Sequence, residues 1–463
     1  MWSHRSPYFD TRDNPNAAQG EQLCDLLVVF ENDVFLFEDK DIAWPPVDDL
    51  ELAWSRWYKR AVYKPAGQLA KAERRARAHP LRVFADRVCE RALPVAFPDT
   101  EVARYHRIVV AHGAAQACKR HFGGGSGALM LNTHPGAAGQ PFTVGRVGPK
   151  DAYVHVLDEV TLEVVLSALD TITEFRDYLL AKERLLDEGK DFAAPGEEDL
   201  LAFYLRSPDP AQPHRHGFGS TDGYDLIVVP EGEWSDFLRS DEKAARDAAN
   251  ELSYAWDELI DRFAKHSMAG TQYFSSPGGP QRTERTLRLL NAEPRTMRRA
   301  LVKVHLEGLE SMGPGPYRVW ASRPQDESGT HYTFLALRRG EDESYEEYRS
   351  LRLNLIQACT AINRMQHPGA RAHVGIATDP LDSEAGSSED IVLIEDSNWT
   401  EELERHAREL QDEFGILKHL REVHATEHEY PPPKPTAKPR GGQRNQLCPC
   451  GSGRKWKKCC GRP

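Results

Sequence analysis

The chain of 463 residues contains no apolar run approaching the roughly 20 residues that a membrane-spanning helix needs, which excludes a spanning segment. Its opening, MWSHRSPYFDTRDN, lacks the basic stretch and apolar stretch of a secretory leader, so a cytoplasmic location is expected. There is no internal repeat of the kind that builds solenoids or propellers. Cysteine is scarce and uneven. Of the eight, Cys24, Cys89, Cys118 and Cys359 are scattered while Cys448, Cys450, Cys459 and Cys460 crowd the end, a distribution that excludes a disulfide framework and favours metal. Acid is missing from residues 431–463, which hold nine Lys or Arg and leave 50 basic against 71 acidic residues before them. A basic appendage therefore follows an acidic body.

What is present fits a large α/β protein. Hydrophobic content of 40% and charged content of 28% are those of a globular chain, and at about 150 residues per domain the length suggests two or three units. LCDLLVVF and VFLFEDK are β-rich runs around Glu31-Asn32-Asp33, the pattern of a hairpin. Helices are expected over 48–63 and 66–79, broken at Pro65-Ala66-Gly67. RIVVAHG, SGALML, PFTVG and YVHVLD follow as strands, with a long helix over 161–186. Residues 186–222, rich in Pro, Gly and Asp, read as a linker. Beyond them DLIVVP, YRVWAS, YTFLALR, HVGIAT and IVLIED read as strands, with helices near 241–265, 343–365 and 399–422. This second α/β domain, 223–429, shows no motif that assigns it a role. Residues 430–443, opening at Tyr430 with YPPPKPTAKPRGG, read as an extended tether.

At the end, Cys448-Pro449-Cys450 and Cys459-Cys460 are two thiolate pairs eight residues apart. Such pairs close a tetrahedral Zn²⁺ site with no position left for water, hence a structural one. Gly451 and Gly453 permit the tight backbone, and Trp456 gives the segment its sizeable apolar surface. CPCGSGRKWKKCCG resembles the SEC-C motif, named after the C-terminus of the preprotein-translocating ATPase, with Cys460 where the translocase usually has His. That likeness implies structural zinc over 444–463 and recognition of a partner rather than chemistry.

The hairpin carries the other candidate site. Glu38 and Lys40, two apart on one strand, share a face, and Asp39 turns away. If Asn32-Asp33 is a two-residue turn, Lys40 sits opposite Asp25 and Glu38 is its diagonal neighbour. A three-residue loop would instead bring Asp39 beside Asp25. Two carboxylates and a Lys are what metal-dependent phosphodiester hydrolysis requires. The segment resembles the PD-(D/E)XK nucleases, particularly the NERD and Mrr-like branches, in which a Glu precedes the motif Asp, a strand pair follows, and Glu-x-Lys ends it. The resemblance implies a restriction-endonuclease-like mixed-sheet domain over 1–185, with Glu21, Asp25, Glu38 and Lys40 as catalytic residues and Mg²⁺ or Mn²⁺ on Asp25 and Glu38. KPAGQLAKAERRA resembles the asparagine-proline plus glutamine helix of NERD proteins, adding Gln68, although Lys64 stands where Asn is usual.

Between Arg56 and Arg82 lie nine Lys or Arg and one acid, Glu73, the composition of a phosphate-contacting helix and equally of a solvated one. The leading expectation is a nuclease acting on nucleic acid. The alternative is an inactive nuclease-like adaptor whose zinc tail docks to a protein, a ribosome or nucleic acid. A third arrangement, an active site assembled in the second domain from distant residues, leaves no trace in a sequence. Other signals carry less. HATEH, 424–428, fits the His-x-x-Glu-His pattern of inverted zinc peptidases but abuts the tether. His214 and His216 read as hydrated linker residues, GGGSG at 123–127 as a hairpin loop without the Lys-Ser/Thr of a phosphate loop, and Cys118 as a buried structural thiol.

The zinc reading predicts that a peptide of residues 440–463 binds one Zn²⁺ and folds only with it. Metal analysis and circular dichroism check this. A folded metal-free peptide, or zinc retained by Cys448→Ser with Cys459→Ser, would contradict it.

Overall fold

The computed structural model describes residues 2–11, 19–147, 153–209, 215–274, 279–324, 329–383, 388–418 and 427–431. The SEC-C segment and its four cysteines lie outside them, as do His214 and most of HATEH. Among the described residues no helix is long and apolar enough to cross a membrane.

The architecture is mixed α/β. Five strands form one sheet in chain order: Trp2–Arg5, Leu26–Phe30, Asp33–Asp41, Arg104–His112 and Val154–Asp158. The first three run antiparallel and the last two join parallel. Val29, Phe30, Val34, Phe35 and Leu36 are wholly buried because helices cover both faces. On one face lies a continuous helical rod. Leu50–Tyr58, capped by Asp49 Oδ1 accepting from Leu52 N at 3.0 Å, runs into a π-helical turn at Lys59–Tyr63 and then Lys64–Ala78. The expected break at Pro65 does not occur. Proline lacks an amide hydrogen and its ring crowds the carbonyl four residues back, and the wider π turn absorbs both defects. On the other face Ile172–Asp187 sets Phe175 5.9 Å from Phe35, ring to ring.

The long helix expected over 161–186 is two helices, Thr161–Ala168 and Ile172–Asp187. Thr171 divides them because its hydroxyl accepts from Glu174 N at 3.2 Å, an N-cap that a helix interior would forgo. The segment expected as a linker holds a strand, Asp191–Ala194, and a helix, Glu197–Arg206. The strand joins Leu226–Val228, Met130–Asn132 and Thr143–Val144 in a second sheet, and Phe192, Leu200, Leu201 and Phe218 enter the first hydrophobic core. Gly189 and Pro195-Gly196 mark the connections between these short buried elements. Likewise GGGSG is no hairpin loop: it leaves the helix Ala115–Phe122 through Gly123, whose φ of 72° a Cβ would disfavour.

A third sheet, Tyr317–Ser322, Thr330–Leu337, Ala372–Thr378 and Glu389–Ile394, forms the core of the remaining chain. Helix Tyr345–Gln366, opened by a Ser344/Glu347 capping box, packs on it. Helices Gly279–Ala292 and Arg295–Glu310 were not foreseen, and the helix expected over 399–422 ends at Phe414 because Gly415 takes a left-handed C-cap.

Ion pairs and hydrogen bonds join the two halves. Arg295 Nε meets Asp170 Oδ1 at 2.9 Å, and Thr173 Oγ1 donates to Ala292 O at 2.7 Å. Glu31 at the hairpin tip receives Arg371 and Arg285. Residues 427–431 add a clasp. Glu429 pairs with buried Arg246, lies 3.5 Å from Arg299 Nη2 and 3.6 Å from His216 Nε2, and Tyr430 OH donates to Leu205 O at 2.8 Å. Tyr430, expected to open the tether, is therefore anchored, and His216, expected to hydrate, packs against Glu429 and the Tyr204 ring.

A chain ending at Pro431 should keep its melting temperature, whereas one ending at residue 426 should lose on the order of 3–5 kcal/mol, because buried Arg246 and Arg299 lose their carboxylate. Burial opposes ionisation of Glu429, but His216 and Arg246 hold its carboxyl down at about 2. A depressed carboxyl stabilises above its ordinary value of 4.5, so the clasp's contribution should fade as pH falls from there toward 2. Thermal melts of the two truncations, and of Glu429→Gln against pH, check both statements. Equal melts for the truncations would show that the clasp contributes nothing.

Candidate functional site

Pairing of Leu26 with Phe37 and of Phe30 with Asp33 places the turn at Glu31-Asn32, with Glu31 at φ 55°. The register thus differs by two residues from that of an Asn32-Asp33 turn. An even shift preserves the face, so the same residues converge with roles exchanged: Glu38 stands opposite Asp25 and Lys40 is diagonal to it. Asp25 N donates to Phe37 O at 2.9 Å, extending the ladder to the site's edge.

Lys40 Nζ lies 2.7 Å from Asp25 Oδ2 and 2.6 Å from Glu38 Oε2. Asp39 contributes its backbone, donating N–H to Asp25 Oδ2 at 2.8 Å, while its side chain turns away and meets His112 Nε2 at 2.8 Å. Glu38 is 5% exposed, and Asp25 and Lys40 are part-exposed at the rim. One ammonium thus serves two carboxylates at a boundary between core and solvent. Burial, and then Asp25, pushes the Glu38 carboxyl up in spite of Lys40. Burial would lower the Lys40 ammonium, but the two carboxylates more than offset it and raise it. Beneath them Cys24 is fully buried and its thiol is pushed well above its usual range, so it takes no part as a thiolate.

The other two expected residues stand apart. Glu21 lies on a short strand, Glu21–Gln22, of a separate three-stranded sheet. Its carboxylate bonds Lys71 Nζ at 2.6 Å and Arg75 Nη2 at 2.7 Å, which lower it. Gln68 is exposed one turn ahead of Lys71 on the same helical stripe, and among the described residues it has no hydrogen bond to Asp25, Glu38 or Lys40. Gln22 was not foreseen. Its amide donates to Asp25 Oδ1 at 2.9 Å and to Cys24 O at 3.2 Å, orienting the carboxylate that Lys40 grips from the other oxygen. Its place three residues before Asp25 was the available signal.

The basic run is divided by its partners. Glu73 is buried and takes Arg107 Nε at 2.7 Å and Arg77 Nε at 3.0 Å, which ties Arg77 to a carboxylate of the core side. Lys71, Arg74, Arg75, His79 and Arg82 instead line a groove with Phe9, whose ring centroid lies 5.0 Å from the Arg75 guanidinium and 5.5 Å from that of Arg82. Cys118, as expected, is a buried thiol, donating to Ala128 O at 3.3 Å.

A family model, the SEC-C motif, matches residues 444–462, so the chain carries this motif of zinc-binding type at the position where its thiolate pairs occur. Comparisons with curated proteins and with solved structures find no match.

A raised carboxyl pKa carries a definite sign. The stability associated with protonated Glu38 is complete below the ordinary value of 4.5 and is lost as pH rises through the raised one. Glu38→Gln should therefore hold or raise the melting temperature at pH 7, with the advantage shrinking as pH falls toward 4.5 and gone below it. Melts across pH check this. A fall of several degrees at pH 7 would identify Lys40–Glu38 as a structural brace.

Proposed function

We propose that this protein is a metal-dependent nuclease in which a restriction-endonuclease-like domain hydrolyses phosphodiester bonds and the SEC-C motif binds zinc and a macromolecular partner. The observation that carries the reading is the convergence of Asp25 and Glu38 on Lys40 Nζ, each within 2.7 Å of it, at the end of one hairpin. The mixed sheet, with an antiparallel hairpin followed by a helical rod and a parallel strand, supports it. So does the basic groove on the Glu21-bearing side of the helix Lys64–Ala78.

The residues suit a hard divalent cation. Two carboxylates share one ammonium, and burial, with the Asp25 charge beside it, pushes the Glu38 carboxyl up. Mg²⁺ or Mn²⁺ on Asp25 and Glu38 would supply Lewis acidity toward a phosphoryl oxygen and a more acidic water. Lys40, released from one carboxylate, would orient that water and offset charge developing on phosphate. Gln22 and the Asp39 amide fix the Asp25 carboxylate. Glu21 acts indirectly, holding Lys71 and Arg75 in place along the helix. Gln68, facing solvent on that stripe, would meet the substrate rather than the metal.

Cleavage of labelled single- and double-stranded DNA and RNA with Mg²⁺, Mn²⁺ or EDTA tests this. Asp25→Ala, Glu38→Ala and Lys40→Ala should each lose at least about 10²-fold in rate, and Asp39→Ala, whose side chain faces away, should not. Cleavage that persists in Asp25→Ala and Glu38→Ala would place the chemistry elsewhere. Binding without cleavage in every condition would make the protein an adaptor.

A further inference from the structure

The opposite face of the five-stranded sheet holds a second cluster with different donors. His106, on Arg104–His112, and His155, on the adjoining strand Val154–Asp158, point toward helix Ile172–Asp187, which supplies Glu183. His106 Nδ1 lies 3.0 Å and His155 Nε2 2.9 Å from one oxygen, Glu183 Oε1, and the three donor atoms all fall within 4.8 Å of one another. Both rings are wholly buried, whereas the Glu183 side chain is 24% exposed.

We propose that His106, His155 and Glu183 form a second metal site, internal to the sheet–helix layer and specific for a borderline divalent transition ion, Zn²⁺ foremost. Two imidazoles and one carboxylate are a donor set that suits Zn²⁺ and not Mg²⁺ or Ca²⁺, which take oxygen ligands. Ligands about 2.0–2.2 Å from a tetrahedral ion stand about 3.3 Å apart, so the two imidazole–carboxylate separations need open by only a few tenths of an ångström to admit the ion. The outer shell is already built. His106 Nε2 meets Asp33 Oδ1 at 3.0 Å, the carboxylate–imidazole contact that fixes the tautomer and orientation of a ligating histidine. Asp33 is in turn held by Arg104, whose Nη2 donates to Oδ2 at 3.0 Å. His106 also stacks on Phe35 with centroids 4.8 Å apart, which fixes its ring plane. His155 lacks such support, its Nδ1 being buried without a partner, so it should bind the ion less strongly than His106. Exposure on the Glu183 side provides the entry path and a position for water. The inference is independent of the nuclease reading, whose carboxylates lie on the other face.

The test must separate this ion from zinc in the tail. Full-length chain carrying Cys448→Ser and Cys459→Ser is stripped with chelator and titrated with Zn²⁺ and with Co²⁺. One equivalent of Co²⁺ should bind, giving weak visible bands and none of the intense near-ultraviolet thiolate-to-metal absorption. Adding Glu183→Gln or His155→Gln should reduce uptake to near zero, and adding Asp25→Ala should leave it at one equivalent. Zn²⁺ should raise the melting temperature of the tail-substituted chain and of its Asp25→Ala form, a readout that stands if a cluster variant fails to fold. No uptake by the tail-substituted chain, or uptake that survives both cluster substitutions, would overturn the proposal and leave the cluster a hydrogen-bonded network.

Discussion

The strand Asp33–Asp41 sets the terms for everything around it. It lies at the centre of the sheet, paired along its length by Arg104–His112 on one side and over Asp33–Phe37 by Leu26–Phe30 on the other. Yet it places carboxylates on both faces, Asp33 with no exposure and Glu38 with 5%. An uncompensated charge in such a position costs several kcal/mol, so each face must bring a cation or hydrogen-bond donors to the strand. Toward the helical rod the answer is Lys40. On the far face it is Arg104 and His106. Strand alternation keeps the two solutions apart, and a shift of register by one residue would bury the wrong set on each side.

The same demand for charge compensation explains how the halves adhere. Three acidic residues of one half or of the clasp, Glu31, Asp170 and Glu429, receive Arg285 and Arg371, Arg295, and Arg246 and Arg299. Arginine suits these places because its planar fork stays charged when buried and can serve two acceptors at once. Arg295, nearly inaccessible, bonds Asp170, Ser253 and Asp257 together. A joint of this kind is specific in geometry and contributes less net stability than an apolar one of equal area, since desolvation offsets much of the attraction.

Legibility in the sequence followed the physics of each feature. The hairpin could be read because Leu27–Phe30 and Val34–Phe37 combine β-rich apolar runs with a short polar turn, and the convergence of Asp25, Glu38 and Lys40 depends only on parity. The turn itself was placed one residue late, at Asn32-Asp33, because Asp33 looks like a turn residue and is in fact a buried partner of His106 and Arg104. Turn-forming residues in 186–222 suggested a linker, but Pro, Gly and Asp mark tight connections between short buried elements as readily as flexible ones. Pro65 announced a break that a π turn removed. Cooperation among residues far apart left no signal: Tyr430 reaching Leu205, and His106, His155 and Glu183 meeting across three elements.

Taken with the proposed readings, the chain offers three donor sets graded in softness: four thiolates in the tail, two imidazoles with a carboxylate inside the sheet–helix layer, and two carboxylates at the hairpin. Affinity order alone would send Zn²⁺ to all of them ahead of Mg²⁺ or Mn²⁺, so donor type and local charge must do the sorting. The hairpin pair discriminates by what already occupies it. Lys40 stands 2.6–2.7 Å from both carboxylates, and a cation must displace an ammonium whose own protonation those carboxylates reinforce. A phosphate arriving beside Lys40 would change that balance, drawing the ammonium away from Glu38 and leaving the pair free for a hard ion that can share the phosphate oxygens. On the proposed nuclease reading, Lys40 would be a counter-ion that substrate exchanges for metal, which would couple occupancy of the carboxylates to the presence of a nucleic-acid backbone.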